Sequence, residues 1–317
     1  MKHKASLTTP LFVLVIYILL YACRFLDVTQ LGTGSRFYLS VIALQMILFM
    51  IPGFFFCRIK KIGHEFPLNI RLFAPGDVGF VILSVASLIA VSTLIRCGQY
   101  YLLQTSDFST MLFAGLPPIK GGSVSDSLYL MLAYALVPAV AEEFVFRTAV
   151  LVSYQESGCG TMTALLASTL LFTMMHFSLS SFPVVFLGGL VFGMVTYTTR
   201  SVLSAMIAHF LYNLYELFGA PYIMALIKKP ENIVFFLFAL ITLLLLFSIL
   251  TCSEAERIHR RDASIGLDTP RYVTVRAEQG RDGASERLKS AIEVFLSPTF
   301  LLCVFVFIVI ALGFVRV

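Results

Sequence analysis

Charge is scarce in this chain of 317 residues: only 13% are Asp, Glu, Lys or Arg, against 58% hydrophobic residues. So small a charged fraction, with a mean hydropathy of +0.90, excludes a soluble globule with a polar shell and leaves a polytopic membrane protein. Paired cysteines are also lacking. Cys23, Cys57, Cys97, Cys159, Cys252 and Cys303 are scattered without a Cys-x-x-Cys pair, so they read as small apolar packing residues rather than disulfides or metal ligands. No repeat with a period of about 20 to 50 residues is visible, which removes solenoids. Nor does a small-residue cleavage site follow the apolar run Leu11 to Ala22. Lys2-His3-Lys4 and that run are therefore read as a retained first helix and not as a secretory signal.

What is abundant is apolar sequence in lengths that suit a bilayer. A spanning helix needs about 20 mostly apolar residues, and nine stretches qualify, at about 10–25, 37–57, 78–96, 127–151, 161–181, 183–199, 201–220, 233–252 and 298–315. The expected fold is an all-α, polytopic transmembrane helical bundle of about eight to nine spans. With the N-terminus in the cytoplasm, the inside segments hold Lys2, Lys4, Arg58, Lys60, Lys61, Arg71, Arg200 and the basic residues between Arg257 and Lys289. The outside segments hold only Arg24, Arg36, Lys120, Lys228, Lys229 and Arg316, so the positive-inside rule favours this orientation. The net charge of +5 is accounted for by basic loops beside anionic lipid and gives no support to a nucleic-acid partner.

Composition divides the chain into N-terminal transmembrane helices (1–125), a core with closely spaced spans (126–220), an additional transmembrane helix (221–252), a polar cytoplasmic linker (253–293) and a C-terminal transmembrane helix (294–317). The linker is poor in large apolar residues and forms no core of its own, although a short helix is expected near 284–293. Arg96, at the end of the third span, is expected to snorkel to the interface. Asp77, after Pro75-Gly76, reads as the N-cap of that span.

Three polar patterns lie inside the apolar spans of the core: Glu142-Glu143-x-x-x-Arg147, Phe172-x-x-x-His176 and His209-x-x-x-Asn213. Ionisable groups at bilayer depth cost about 2.5 to 3.5 kcal/mol each on insertion scales, so they require a reason. Adjacent residues on a helix point about 100° apart, so Glu142 and Glu143 cannot do the same job. Glu143 and Arg147 share a face and can neutralise each other, which leaves Glu142 as a carboxylate suited to a general base. The same pattern equally fits a buried ionic cluster that only locks helices together; the two histidines weigh toward chemistry. His209 and Asn213 stack on one face and can aim two donors at one point, the requirement of a tetrahedral oxyanion. Glu216 continues that face and is read as a residue near the outer interface rather than a further acid. Gly189-Leu-Val-Phe-Gly193 is a small-xxx-small packing face.

Taken together these patterns resemble the type II CAAX prenyl endopeptidase and bacteriocin-processing family, the CPBP or Abi intramembrane proteases. The resemblance runs from Pro138-Ala-Val-Ala-Glu142-Glu143-Phe-Val-Phe-Arg147 through Phe172-x-x-x-His176 and Gly188-Gly-Leu-Val-Phe-Gly193 to Arg200-Ser-Val-Leu-Ser-Ala-Met-Ile-Ala-His209-x-x-x-Asn213. It implies Glu142 and His176 for activating water, His209 and Asn213 for stabilising the oxyanion, and Glu143 with Arg147 as a supporting ion pair. Cofactors stay open: none is fixed by the motifs, and a divalent metal such as zinc, if present, would take Glu142, His176 and His209. The His-Glu-x-x-His zinc motif is absent, as are the Gly-x-Ser-x-Gly and Gly-x-Gly-Asp signatures of other proteases.

The expected function is intramembrane endopeptidase activity on a membrane peptide or protein substrate within the lipid bilayer. The compact loops and lack of a retention signal point to a prokaryotic plasma membrane. Two other classes compete: a non-catalytic bacteriocin-immunity or regulatory membrane scaffold, and a proton-coupled transporter relaying protons through Glu142 and His176. The missing inverted repeat counts against the transporter. With straight spans Glu142 and His176 stand about 13 Å apart in depth at 1.5 Å per residue, so an active site requires helices that tilt or break, with Pro138 one candidate.

Overall fold

A computed structural model describes residues 2–23, 35–62, 70–103, 124–229, 231, 233–266 and 283–313. Among the described residues there is no strand, and the chain runs as α1 (Lys2–Cys23), α2 (Ser35–Lys60), α3 (Val78–Leu103), α4 (Asp126–Glu156), α5 (Thr161–Met174), α6 (Phe182–Thr199), α7 (Val202–Ile227), α8 (Ile233–Ser264), α9 (Gly283–Phe295) and α10 (Pro298–Ala311). Seven helices are long and apolar enough to cross a membrane, or eight if the pair α9–α10, bent by 52°, is one broken span. The protein is an all-α polytopic membrane bundle, with fewer spans than the nine stretches predicted from sequence. The difference lies mainly in 161–181, where α5 stops at Met174 and is too short to count. The basic residues Arg24, Lys120, Arg271, Arg276, Arg281 and Arg316, used above for orientation, lie outside the described residues.

Several long helices contain a π-helical turn, and prolines explain most of them. Ile51 donates its N–H to Met46 O, Val137 to Leu132 O and Ala220 to Tyr215 O, each bond spanning five residues. Each donor immediately precedes a proline: Pro52, Pro138 and Pro221. A proline has no N–H to give and its ring crowds the carbonyl four residues back, so one extra residue in the turn lets the helix continue. Pro138 accordingly widens α4 without breaking it. The remaining π segment, Phe144–Val150, has no proline and follows directly on Glu143.

The chain packs into two compact units. The first comprises 1–70, 141–179 and 269–317, and the second half of α4 is its innermost element, with every residue from Ala141 to Gln155 buried. α1, α2 and α5 pack against this half-helix, and α10 packs on α1 and α5. Polar contacts pin α1 in place: Thr9 and Ser153 hydroxyls meet at 2.8 Å, and Tyr17 donates to Leu171 O at 2.5 Å. Gly53 of α2 lets the π segment approach closely, because a Cβ there would meet Phe144 at 3.1 Å and Val145 at 3.2 Å. Gly53→Val is expected to destabilise the protein by about 1–3 kcal/mol through overpacking, measured as a lowered melting temperature in detergent.

The second unit comprises 71–140 and 180–268, and α3 is its hub, packing against α6, α7 and α8. Phe80, Val81, Val85 and Leu88 of α3 form its core with Val184, Phe192 and Val195 of α6 and Ala205, Ala208 and Tyr212 of α7. α8 presents Val234, Phe235 and Phe238 at its surface, each at least 70% exposed, an apolar belt suited to lipid. Its polar end does not begin a linker at Ser253 but continues helical to Ser264. The reason is a set of partners: Arg261 donates to Asp77 at 2.6 Å and Arg200 pairs with Asp262 at 3.2 Å. Asp77 is therefore a buried ion-pair partner; the helical segment it belongs to is capped by Ala74 without a side-chain bond. The short helix expected near 284–293 is α9; residues 267–282 lie outside the described residues.

Candidate active site

Glu142 and Glu143 are the last residues before the π segment of α4, and both are buried, 3% and 0% exposed. Glu143 Oε2 lies 3.0 Å from Arg147 Nε, an i to i+4 pair. A helix surrounded by protein on all sides can keep such charges only if they are matched there. The Arg147 guanidinium also sits 5.1 Å from the centre of the Phe172 ring, a cation–π contact. The π segment leaves Phe146 O accepting from Leu151 N, and Ser168 adds a hydroxyl bond to the same oxygen at 2.7 Å.

Phe172 joins the first two motifs. Its ring meets Phe146 edge-on at 5.3 Å and His176 at 5.2 Å. Glu143, Arg147, Phe172 and His176 therefore form one continuous cluster in the first unit. α5 ends at Met174 and His176 lies in the turn beyond it, where the last carbonyls of a helix lack intrahelical partners. His176 Nδ1 lies 3.2 Å from Phe172 O. A carbonyl only accepts, so a hydrogen bond here has Nδ1 as its donor. Phe177 follows with φ at +50°, a left-handed conformation that is strained for a bulky residue. Its ring packs edge-on against Tyr17 at 5.5 Å, which holds the turn.

His209 and Asn213 belong to the second unit, on one face of α7. The His209 ring is stacked on Phe192 of α6, centroids 4.5 Å apart and planes 16° from parallel. Stacking fixes the ring plane and directs both nitrogens along it. Asn213 donates from Nδ2 to Ala135 O, in the π turn before Pro138, at 3.4 Å. A primary amide has two N–H bonds, so this contact anchors Asn213 while leaving a second donor in its inventory.

Sequence reasoning missed the aromatic partners. Phe172 was named only as a motif letter and Phe192 only as the residue between two packing glycines. The signal for Phe172 was available in its i, i+4 spacing from His176; Phe192 and His209 lie on different helices and carried no local signal. Arg96 and Glu216 were placed at interfaces, yet they form a buried ion pair at 2.6 Å with side chains 3% and 6% exposed. Among the described residues no three His, Cys, Asp or Glu side chains gather so as to hold a metal ion.

Residues 124–215 match the family model described as Type II CAAX prenyl endopeptidase Rce1-like. This segment belongs to that family. The Rce1-like match takes in all three polar motifs and ends one residue before Glu216. No curated protein and no solved structure matches the chain.

Proposed function

We propose that this protein is an intramembrane endopeptidase that hydrolyses peptide bonds of membrane-associated substrates with side-chain-activated water. The observation that carries the reading is the packed cluster joining the Glu-Glu-x-x-x-Arg and Phe-x-x-x-His motifs, in which Arg147 pairs with Glu143 and packs on Phe172, and Phe172 meets the His176 ring. Glu142 takes a proton from water as the water oxygen bonds to the peptide carbonyl carbon, and His176 Nε2 holds that water by accepting its second hydrogen. The proton passes to the amide nitrogen as the C–N bond breaks, releasing an amine and a carboxylic acid, which then ionises to water. The resemblance gives the oxyanion to His209 and Asn213.

A divalent metal, if bound, would supply Lewis-acid polarisation of water or carbonyl. The substrate is a membrane peptide or protein segment, and the setting is a prokaryotic plasma membrane with the N-terminus in the cytoplasm, the side favoured by the basic segments.

The test is cleavage of a membrane-peptide library by purified protein in detergent, comparing wild type, Glu142→Gln and EDTA-treated wild type. Cleavage by wild type that is lost in Glu142→Gln supports the hydrolase, and the EDTA arm reports metal dependence. Equal behaviour of wild type and a folded Glu142→Gln overturns it in favour of a peptide-binding scaffold.

A further inference from the structure

α7 carries a π turn, Tyr215–Gly219, directly after the helix that bears His209 and Asn213. Such a turn holds one residue more than an α-turn, and one residue is about 100° of helix rotation. The part of α7 beyond the turn therefore does not by itself set the direction in which His209 and Asn213 face. An anchor on another helix has to do so.

α3 provides it. Thr93 and Arg96 are three apart and share a helix face, and both are buried. The Thr93 and Tyr215 hydroxyls meet at 2.8 Å, and Arg96 Nη2 donates to Glu216 Oε2 at 2.6 Å. Two consecutive residues of the π turn are thus gripped from one side. The grip continues inward through rings: Tyr215 lies 6.0 Å from Tyr212, Tyr212 lies 6.3 Å from Phe192, and Phe192 is stacked on His209. Gly219 makes room for this arrangement, since a Cβ there would come within 2.8 Å of the Tyr215 ring.

Stability alone is a poor reason for the ion pair. A buried pair gains little over well-packed apolar residues, whereas a matched polar pair is best attested as a device for register. We propose that Arg96, acting through Glu216, is a positioning residue that sets the rotation of α7 and so aims His209 and Asn213. This inference rests on reading those two residues as the oxyanion donors. Arg96 and Glu216 both fall outside the segment that matches the family model.

The experiment uses full-length protein in detergent: wild type, Arg96→Met, Arg96→Lys, Glu216→Gln and Gly219→Ala. Two quantities are read: kcat and KM on a cleaved peptide, and the imidazole nitrogen resonances of His209, identified among the five histidines by subtraction with His209→Gln. Arg96→Met is expected to lower kcat by about 100-fold, the cost of misplacing a group by roughly 1 Å, with KM within about twofold and the His209 resonance moved. Arg96→Lys, which keeps the charge, is expected to recover part of both. An unchanged kcat and resonance in folded Arg96→Met overturns the proposal, as does a fall in kcat that tracks only the loss of folded protein. If Arg96→Met does not fold, Gly219→Ala displaces Tyr215 with the ion pair retained and is judged by the same two readings. If wild type cleaves no peptide, the hydrolase reading fails; the His209 resonance then decides positioning alone, its movement supporting the proposal and its constancy overturning it.

Discussion

Glu142→Gln should lower kcat by about 10²–10⁴-fold, the range a positioned general base supplies, while leaving KM and the melting temperature near wild type. Glutamine has the same shape as glutamate and keeps hydrogen-bonding capacity at a site only 3% exposed, so packing around Ala141 and Val145 is preserved. What it loses is the ability to take a proton from water. The neighbouring substitution separates the two carboxylates. Glu143→Gln removes the partner of Arg147, so its first effect is on the amount of folded protein, whereas Glu142→Gln acts on turnover. Rates measured on folded fractions of both variants check the assignment, and turnover by folded Glu142→Gln within about twofold of wild type would count against a base at this position.

Arg147→Ala is expected to cost about 3–5 kcal/mol of stability, because removing one member of a buried pair leaves the other charge without compensation. Arg147 is 1% and Glu143 0% exposed by side chain, and neither water nor lipid headgroups can take over. The guanidinium is also part of the packing against Phe172, so Arg147→Lys should recover the charge without the planar contact and restore stability only in part. The double variant Glu143→Gln with Arg147→Met removes both charges and should be closer to wild type than either single change. Thermal unfolding in detergent, followed for Glu143→Gln, Arg147→Met and the double variant, gives the coupling directly.

Much of the fold was legible in the chain because membrane helices announce themselves locally. Low charge and long apolar runs identify the class, since every backbone polar group in a bilayer must be satisfied within the helix. Where the reading was off, the cause was also physical. Apolarity continues from 161 to 181, but α5 stops at Met174, where the chain turns to present His176 and Phe177. The polar residues after Ser253 read as linker because their partners Asp77 and Arg200 are remote in sequence. Arg96 was assigned to an interface for the same reason: Glu216 is 120 positions away.

By itself the sequence determined that this is a helical membrane protein, that Glu143 and Arg147 share a face, and that three polar motifs follow in the order of one protease family. The first two are properties of composition and of spacing within a single helix, where 3.6 residues per turn decides who meets whom, and the third is a resemblance in motif order along the chain. Tertiary structure decided the rest: that Phe172 bridges the first two motifs, that Phe192 holds the ring of His209, that the proline-free π segment begins at Phe144, and that Arg96 grips Glu216. Those outcomes depend on how far each helix is rotated toward its neighbours. A helix apolar on every side carries little record of that rotation in its sequence, so only the packed partners set it.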